Sequence, residues 1–132
     1  MSVKPCILCL DDDAEILKSL KLLFEKDYEV LTTTSPFQAL GLLKTHKISL
    51  IISDHRMPEM NGLEFFQKVK EEHGDKQYYK IIYSGYSEME KDMIKMIASK
   101  VINEFLTKSC PTKLLYKTIA SGVEKSKTMV NL

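Results

Sequence analysis

Five short apolar runs alternate along this chain with five longer segments whose apolar residues recur at helical spacing, and this alternation limits the fold more than any other feature. Cys6 to Leu10 is followed by Ala14 to Lys26, in which Ile16, Leu17, Leu20, Leu23 and Phe24 line one helical face. Val30 to Thr33 reads as a second strand. Ser35, Pro36 and Gln38 then supply an N-cap, a proline at the first helical position and a capping-box glutamine for a helix to about Thr45. Leu50 to Ser53 is a third strand, and Leu63, Phe66 and Val69 mark a third helix that stops near Gly74. Lys80 to Tyr83 is a fourth strand, followed by a helix that Ser87 and Glu90 box and whose inner stripe is Met89, Met93, Met96 and Ile97. Asn103 to Leu106 is a fifth, short strand. Pro111 opens a last helix through Leu115, Ile119 and Val123, and the polar stretch from Glu124 onward is expected to fray.

Strands that are apolar throughout are those covered on both faces of a parallel sheet. The pattern therefore predicts an α/β fold, a doubly wound five-stranded parallel sheet of (βα)5 type with right-handed crossovers. At 132 residues the chain suits a single domain, placed at 1–125 with a short tail at 126–132, that buries ~65–70% of its unfolded surface without disulfides or structural metal. Its 19 basic and 18 acidic residues nearly cancel to +1, which removes any general electrostatic case for nucleic acid or an anionic membrane. No run approaches a membrane span or a signal peptide, so a cytoplasmic protein is expected. Cys6 and Cys9 form a CxxC, but three-residue spacing within a strand puts them on opposite faces, and no second cysteine pair completes a zinc site. They read as buried thiols.

Function in such a fold is read at the carboxyl ends of the strands, where the loops open a crevice. Asp11, Asp12 and Asp13 stand at the end of the first strand and Asp54 at the end of the third, so several carboxylates converge. A hard divalent cation, Mg²⁺ or Mn²⁺, relieves their repulsion, with Asp11 and Asp12 the expected metal carboxylates and Asp13 a helix cap. Met57-Pro58 and Asn61-Gly62 predict a turn that folds the chain back over Asp54, Asn and Gly being chosen for their tolerance of positive φ. Ser84 ends the fourth strand and Lys108 follows the fifth, bringing a hydroxyl and an ammonium to the same edge. Phosphoryl transfer needs a nucleophile, a cation and compensation of the remaining phosphoryl charge, and this edge offers all three around Asp54.

These motifs, LCLDDDAEIL, LIISDHRMPEMNGLEF, IIYSGYSE and NEFLTK, resemble in order and spacing the receiver domains of two-component response regulators, the CheY-like family, over Lys4 to about Lys125. The resemblance implies Asp54 as the phospho-acceptor, and Asp11, Asp12, Asp54 and the backbone carbonyl of Arg56 as metal ligands. Ser84 and Lys108 would bind the phosphoryl group, with Ser84 and Phe105 as switch residues. It implies a signalling receiver that catalyses only its own phosphorylation and dephosphorylation. Its donor would be a histidine kinase or phosphotransfer protein, and a downstream protein would bind the face of the fourth helix, fifth strand and fifth helix. The molecule would be a monomer or a phosphorylation-dependent dimer. Family members usually carry proline directly after the lysine; here the order is Lys108-Ser109-Cys110-Pro111, which leaves the aim of Lys108 to be tested.

Two other classes use parts of this pattern. A Mg²⁺-dependent aspartyl-phosphate phosphatase wants a second acid two residues after its nucleophile, where this chain has Arg56. A flavodoxin-like binding protein wants a Ser, Thr or Gly-rich phosphate loop after the first strand, where this chain has three aspartates. His55 reads as a solvated loop residue and His46 and His73 as surface residues. Arg56 and Tyr86, two residues beyond Asp54 and Ser84, are expected to overhang the site and slow loss of a phosphoryl group.

Overall fold

The computed structural model describes residues 3–74, 78–85 and 90–129. Strands and helices alternate as β1 (Cys6–Leu10), α1 (Ala14–Phe24), β2 (Glu29–Thr33), α2 (Pro36–Thr45), β3 (Leu50–Ser53), α3 (Gly62–His73), β4 (Tyr79–Ser84), α4 (Glu90–Ala98), β5 (Glu104–Thr107) and α5 (Thr112–Met129). All four strand pairings are parallel, in the order β2-β1-β3-β4-β5. This is the doubly wound sheet the alternation predicts, and its strand order reverses between β1 and β3.

The three central strands are buried nearly throughout, which is why their sequences are apolar without alternation. On one face, α1 and α5 bury Leu17, Leu20, Phe24, Leu115, Ile119 and Val123 against Ile7, Cys9, Leu50, Ile52 and Ile81. On the other, α2, α3 and α4 bury Leu40, Leu43, Phe65, Phe66, Val69 and Met93 against Leu8, Leu10, Ile51 and Ile82. Cys6 and Cys9 fall in opposite layers as their spacing requires, and burial pushes their thiols up to about 11 and about 12. Both are free. Thiols held this far above neutral pH are poor nucleophiles.

Local chemistry differs from expectation at three places. Ser35 caps α2 by accepting from the Gln38 N–H, but the Gln38 side chain does not complete a capping box; it is taken by the Thr33 hydroxyl, which also accepts the Ser35 N–H. The end of β2 and the start of α2 are thereby tied together. The last helix does not fray after Val123: α5 continues to Met129, because Ser126 is buried and keeps one face of the added turn on the protein. Gly62 does not have positive φ; among the described residues only Lys100 and Gly74 do. Its role is close approach, since a Cβ there would lie 2.5 Å from the Asp54 carbonyl oxygen and 2.6 Å from Ile82 Cδ1. The expected Ser87–Glu90 box, with Met89, lies outside the described residues.

Two glycines therefore make opposite predictions. Gly62→Ala should cost about 1–3 kcal/mol by overpacking. Gly41, inside α2 with nothing within 4 Å of a built Cβ, should gain about 0.5–1 kcal/mol when replaced by Ala. Urea denaturation of the two variants checks both signs, and equal effects would refute the packing role of Gly62.

Candidate functional site

The strand ends deliver their side chains to one edge because each hydrogen-bond ladder continues a residue past its strand. Asp11 N–H donates to Thr33 O at 3.3 Å, Asp54 N–H to Leu10 O at 2.8 Å, and Lys108 N–H to Ser84 O at 2.9 Å. Asp11 and Asp54 thus stand side by side where the winding reverses, the position at which an open α/β sheet forms its crevice. One oxygen from each of Asp11, Asp12 and Asp54 lies within 4.8 Å of the others. Asp11 and Asp54 are buried and Asp12 is exposed, so the cluster opens to solvent at Asp12. Asp13 caps α1 by accepting from the Glu15 N–H, and its own N–H donates to Asp11 Oδ1 at 2.9 Å.

Lys108 reaches the cluster. Its Nζ lies 2.9 Å from Asp11 Oδ2 and 3.5 Å from Asp54 Oδ1. These distances show that the missing proline does not misdirect this lysine, and no cis peptide bond occurs among the described residues. Its direction comes from β5, whose register on β4 pairs Thr107 with Ser84, and from a turn in which Cys110 N–H donates to Thr107 O. Ser84 is buried beside it at the end of β4.

Burial, then the charge of Asp11, raises the pKa of Asp54, with Lys108 and the His55 N–H pulling the other way. Burial also raises Asp11, and the hydrogen bond from Lys108 offsets only part of that. Burial disfavours the Lys108 ammonium, yet its hydrogen bond to Asp11 and the two carboxylate charges leave its pKa raised. Among the described residues Lys108 pairs with two of the three clustered carboxylates, Asp11 and Asp54, so negative charge in the cluster exceeds what this ammonium offsets. Its donors are all hard oxygens, which fit a small divalent cation better than a soft transition metal.

The turn after Asp54 explains a correction. His55 is not solvated: it is 5% exposed, its Nδ1 has no hydrogen-bond partner among the described residues, and burial lowers its pKa. The cause is the Gly62 N–H, which donates to His55 O at 2.9 Å and draws the loop onto the sheet. Met57 is buried with it, while Arg56 stays exposed on an open cleft also lined by Asp12, His55, Met57, Pro58 and Asn61. The loop ends in a reciprocal capping box that sequence reasoning missed: Asn61 Oδ1 accepts from Glu64 N–H, and Glu64 Oε1 accepts from Asn61 N–H. The Asn-x-x-Glu spacing carried that signal. Phe105 is half-buried against the core on the α2, α3 and α4 face. His46 is exposed as expected, whereas His73 is half-buried, edge-on to Tyr78. Tyr86 lies outside the described residues.

Residues 7–120 match the model of a family described as the response regulator receiver domain. The chain is 34% identical over 128 residues to the transcriptional regulatory protein GlrR of Escherichia coli, covering 96% of this chain and 28% of that protein. It is 32% identical to the hydrogenase transcriptional regulatory protein HoxA of Bradyrhizobium diazoefficiens, covering 94% of this chain and 25% of that one. It thus spans about a quarter of the length of these curated relatives. Among solved structures it is similar, with TM-score 0.77 and 27% identity over 89% of this chain and 98% of that one, to the response regulator protein TrrA of Thermotoga maritima in complex with Mg²⁺-BeF.

The charge excess has a measurable consequence. Asp11 and Asp54 keep their protons to higher pH folded than unfolded, so the stability they contribute is full below the ordinary value of 3.8 and is lost as pH rises through the raised folded values. Asp54→Asn should therefore unfold at higher temperature than the unsubstituted protein in chelator-treated neutral buffer, and the difference should shrink as the pH falls toward 4. A destabilised Asn variant at neutral pH would mean that pairing with Lys108 outweighs burial and repulsion.

Proposed function

The chain belongs to the response regulator receiver domain family, and from that premise we propose that it accepts a phosphoryl group on Asp54, from a histidine kinase or a phosphotransfer protein, and signals by a change of surface. The observation that carries this reading is the asymmetry of the Asp54 carboxylate. Oδ1 accepts from the His55 N–H at 2.9 Å and faces Lys108, whereas Oδ2 has no hydrogen-bond partner among the described residues. Oδ2 is then the nucleophile. It forms a bond to the donor's phosphorus as the bond from phosphorus to the donor's leaving group breaks, giving an acyl phosphate on Asp54 and returning the electron pair to the leaving group. Burial that raises the Asp54 pKa also makes its anion more basic, and its fixed Oδ1 keeps Oδ2 pointed outward.

The carboxylates of Asp11, Asp12 and Asp54 and the backbone carbonyl of Arg56 would hold Mg²⁺. When bound, a divalent cation supplies charge neutralisation and polarisation at the phosphoryl oxygens. Lys108, freed of part of its pairing with Asp11, compensates a further phosphoryl oxygen, and Ser84 donates its hydroxyl to another. Withdrawal of Ser84 toward the phosphoryl group lets Phe105 turn inward, two positions down the strand from Thr107 and opposite Ile82 in the sheet. A tenfold population shift needs only about 1.4 kcal/mol, within the strength of one charge-assisted hydrogen bond. The face of α4, β5 and α5 then changes and binds a downstream partner. The curated relatives are transcriptional regulators about four times longer than this chain, which suits a receiver that governs an attached or separate output domain.

Incubation with acetyl phosphate and Mg²⁺, read by intact mass, should add one phosphoryl group to the unsubstituted protein and none to Asp54→Asn. A gain that persists in the Asn variant would remove Asp54 from the role. Asp12→Ala should slow labelling and weaken Mg²⁺ binding far more than Asp13→Ala, because Asp13 is committed to the α1 cap. Equal losses would mean that the wrong pair has been chosen.

Arg56 bears on how long the acyl phosphate lasts. Hydrolysis requires water in line with the Asp54–phosphorus bond, and the exposed Arg56 side chain, two residues beyond Asp54, would shield that approach. Arg56→Asn should lose its phosphoryl group several-fold faster after the donor is removed. Slower decay would show that the guanidinium assists hydrolysis.

A further inference from the structure

Of the five helices, α4 is the most weakly seated by apolar packing. Among its described side chains Met93 is buried and Met96 half-buried, while Ile94, Lys95, Ile97 and Ala98 are exposed. By contrast α1 buries two leucines and a phenylalanine, and α3 buries two phenylalanines besides Leu63 and Val69. Methionine is also the apolar side chain most tolerant of re-packing. Among the described residues, the carboxyl-terminal end of α4 is also held by polar contacts. Lys70 Nζ on α3 donates to Ser99 O at 2.5 Å, and Lys80 Nζ on β4 donates to Lys100 O at 3.2 Å. Lys100 has positive φ (64°), and the turn around it closes on α4 through Lys100 N–H to Ile97 O and Val101 N–H to Met96 O. The strand side of the turn is secured as well, because Lys80 N–H donates to Asn103 Oδ1 and Asn103 N–H donates to Lys80 O.

We propose that Lys70 and Lys80 form a two-lysine clamp on the carboxyl-terminal turn of α4, making that turn a pivot about which the helix swings when the site at the other edge of the sheet changes state. This deepens the receiver reading and rests on it for the trigger. Two charges on the carbonyls of a helix carboxyl terminus hold it electrostatically as well as by hydrogen bonding. Lys80 is 1% exposed, so its bond is sheltered from competing water. The pivot lies at the edge where β4 begins, opposite the edge that carries Asp54 and Ser84. The amino-terminal half of α4 lies toward the site, because the helix begins at Glu90, soon after β4 ends at Ser84 on the edge that carries Asp54. A nine-residue helix is about 13 Å long, so a small rotation about the clamped end moves the other end by several ångströms.

Amide hydrogen exchange on the full chain tests this. In the unphosphorylated protein, Lys70→Met and Lys80→Met should each speed exchange at the amides of residues 99–102 by roughly tenfold, and the double variant by more, relative to the amides of β1 and β3. Lys95→Met, on α4 but outside the clamp, should not. Acceleration that is equal in the strands and the turn would assign the lysines to overall stability and overturn the clamp, as would unchanged exchange in the double variant. After acetyl phosphate treatment, backbone chemical-shift changes along α4 should decline from Asp92 toward Ser99 in the unsubstituted protein and extend through residue 102 in the double variant. Changes of uniform size along α4 in the unsubstituted protein would overturn the pivot. Failure of acetyl phosphate to label Asp54 would instead refute the receiver reading, and the exchange ratios of the unmodified protein would still judge the clamp.

Discussion

Negative charge gathers at the carboxyl edge of the sheet, where Asp11, Asp12 and Asp54 cluster and, among the described residues, Lys108 pairs with Asp11 and Asp54. Neither Asp11 nor Asp54 can move away, because each is fixed by a backbone hydrogen bond one residue past its strand and the strands pair directly in the middle of the sheet. Folding therefore assembles a local repulsion, and the apolar layers on both faces stabilise the chain enough to keep it. Such a pocket gains by binding positive charge.

The loop that crosses the pocket is built for position. Gly62 lets its backbone lie against the Asp54 carbonyl, Met57 and His55 are buried beneath it, and the Asn61–Glu64 box starts α3. Arg56 alone among the three residues after Asp54 keeps its side chain in solvent. A single short segment thus follows Asp54 directly, lines one side of the cleft and carries Arg56 exposed on it. On the other side of the pocket Lys108 is aimed by β5 and its following turn, without the proline that family members usually place there.

Apolar packing and polar contacts are distributed unequally over the helices. α1, α3 and α5 are anchored by large apolar side chains that resist displacement. α4 relies on methionines and on lysines reaching in from its neighbours, contacts that tolerate rotation.

The sequence by itself determined the element order, the parallel sheet and the placement of the candidate site residues, because strand burial on both faces and helical periodicity are local patterns and because Asp11, Asp12, Asp54, Ser84 and Lys108 all fall at strand ends, whatever the details of packing. It also carried the Asn61–Glu64 box and the cap at Asp13, which depend on neighbours three residues apart or fewer. Only the tertiary structure decided that Lys108 turns onto Asp11 and Asp54, since that depends on the register of β5 against β4. It alone decided that His55 is buried and that Gly62 is needed for contact rather than for positive φ, because both follow from a loop laid onto a strand distant in sequence. The continuation of α5 to Met129 and the grip of Lys70 and Lys80 on the end of α4 are of the same kind: a polar sequence looks free until the surface that receives it has folded.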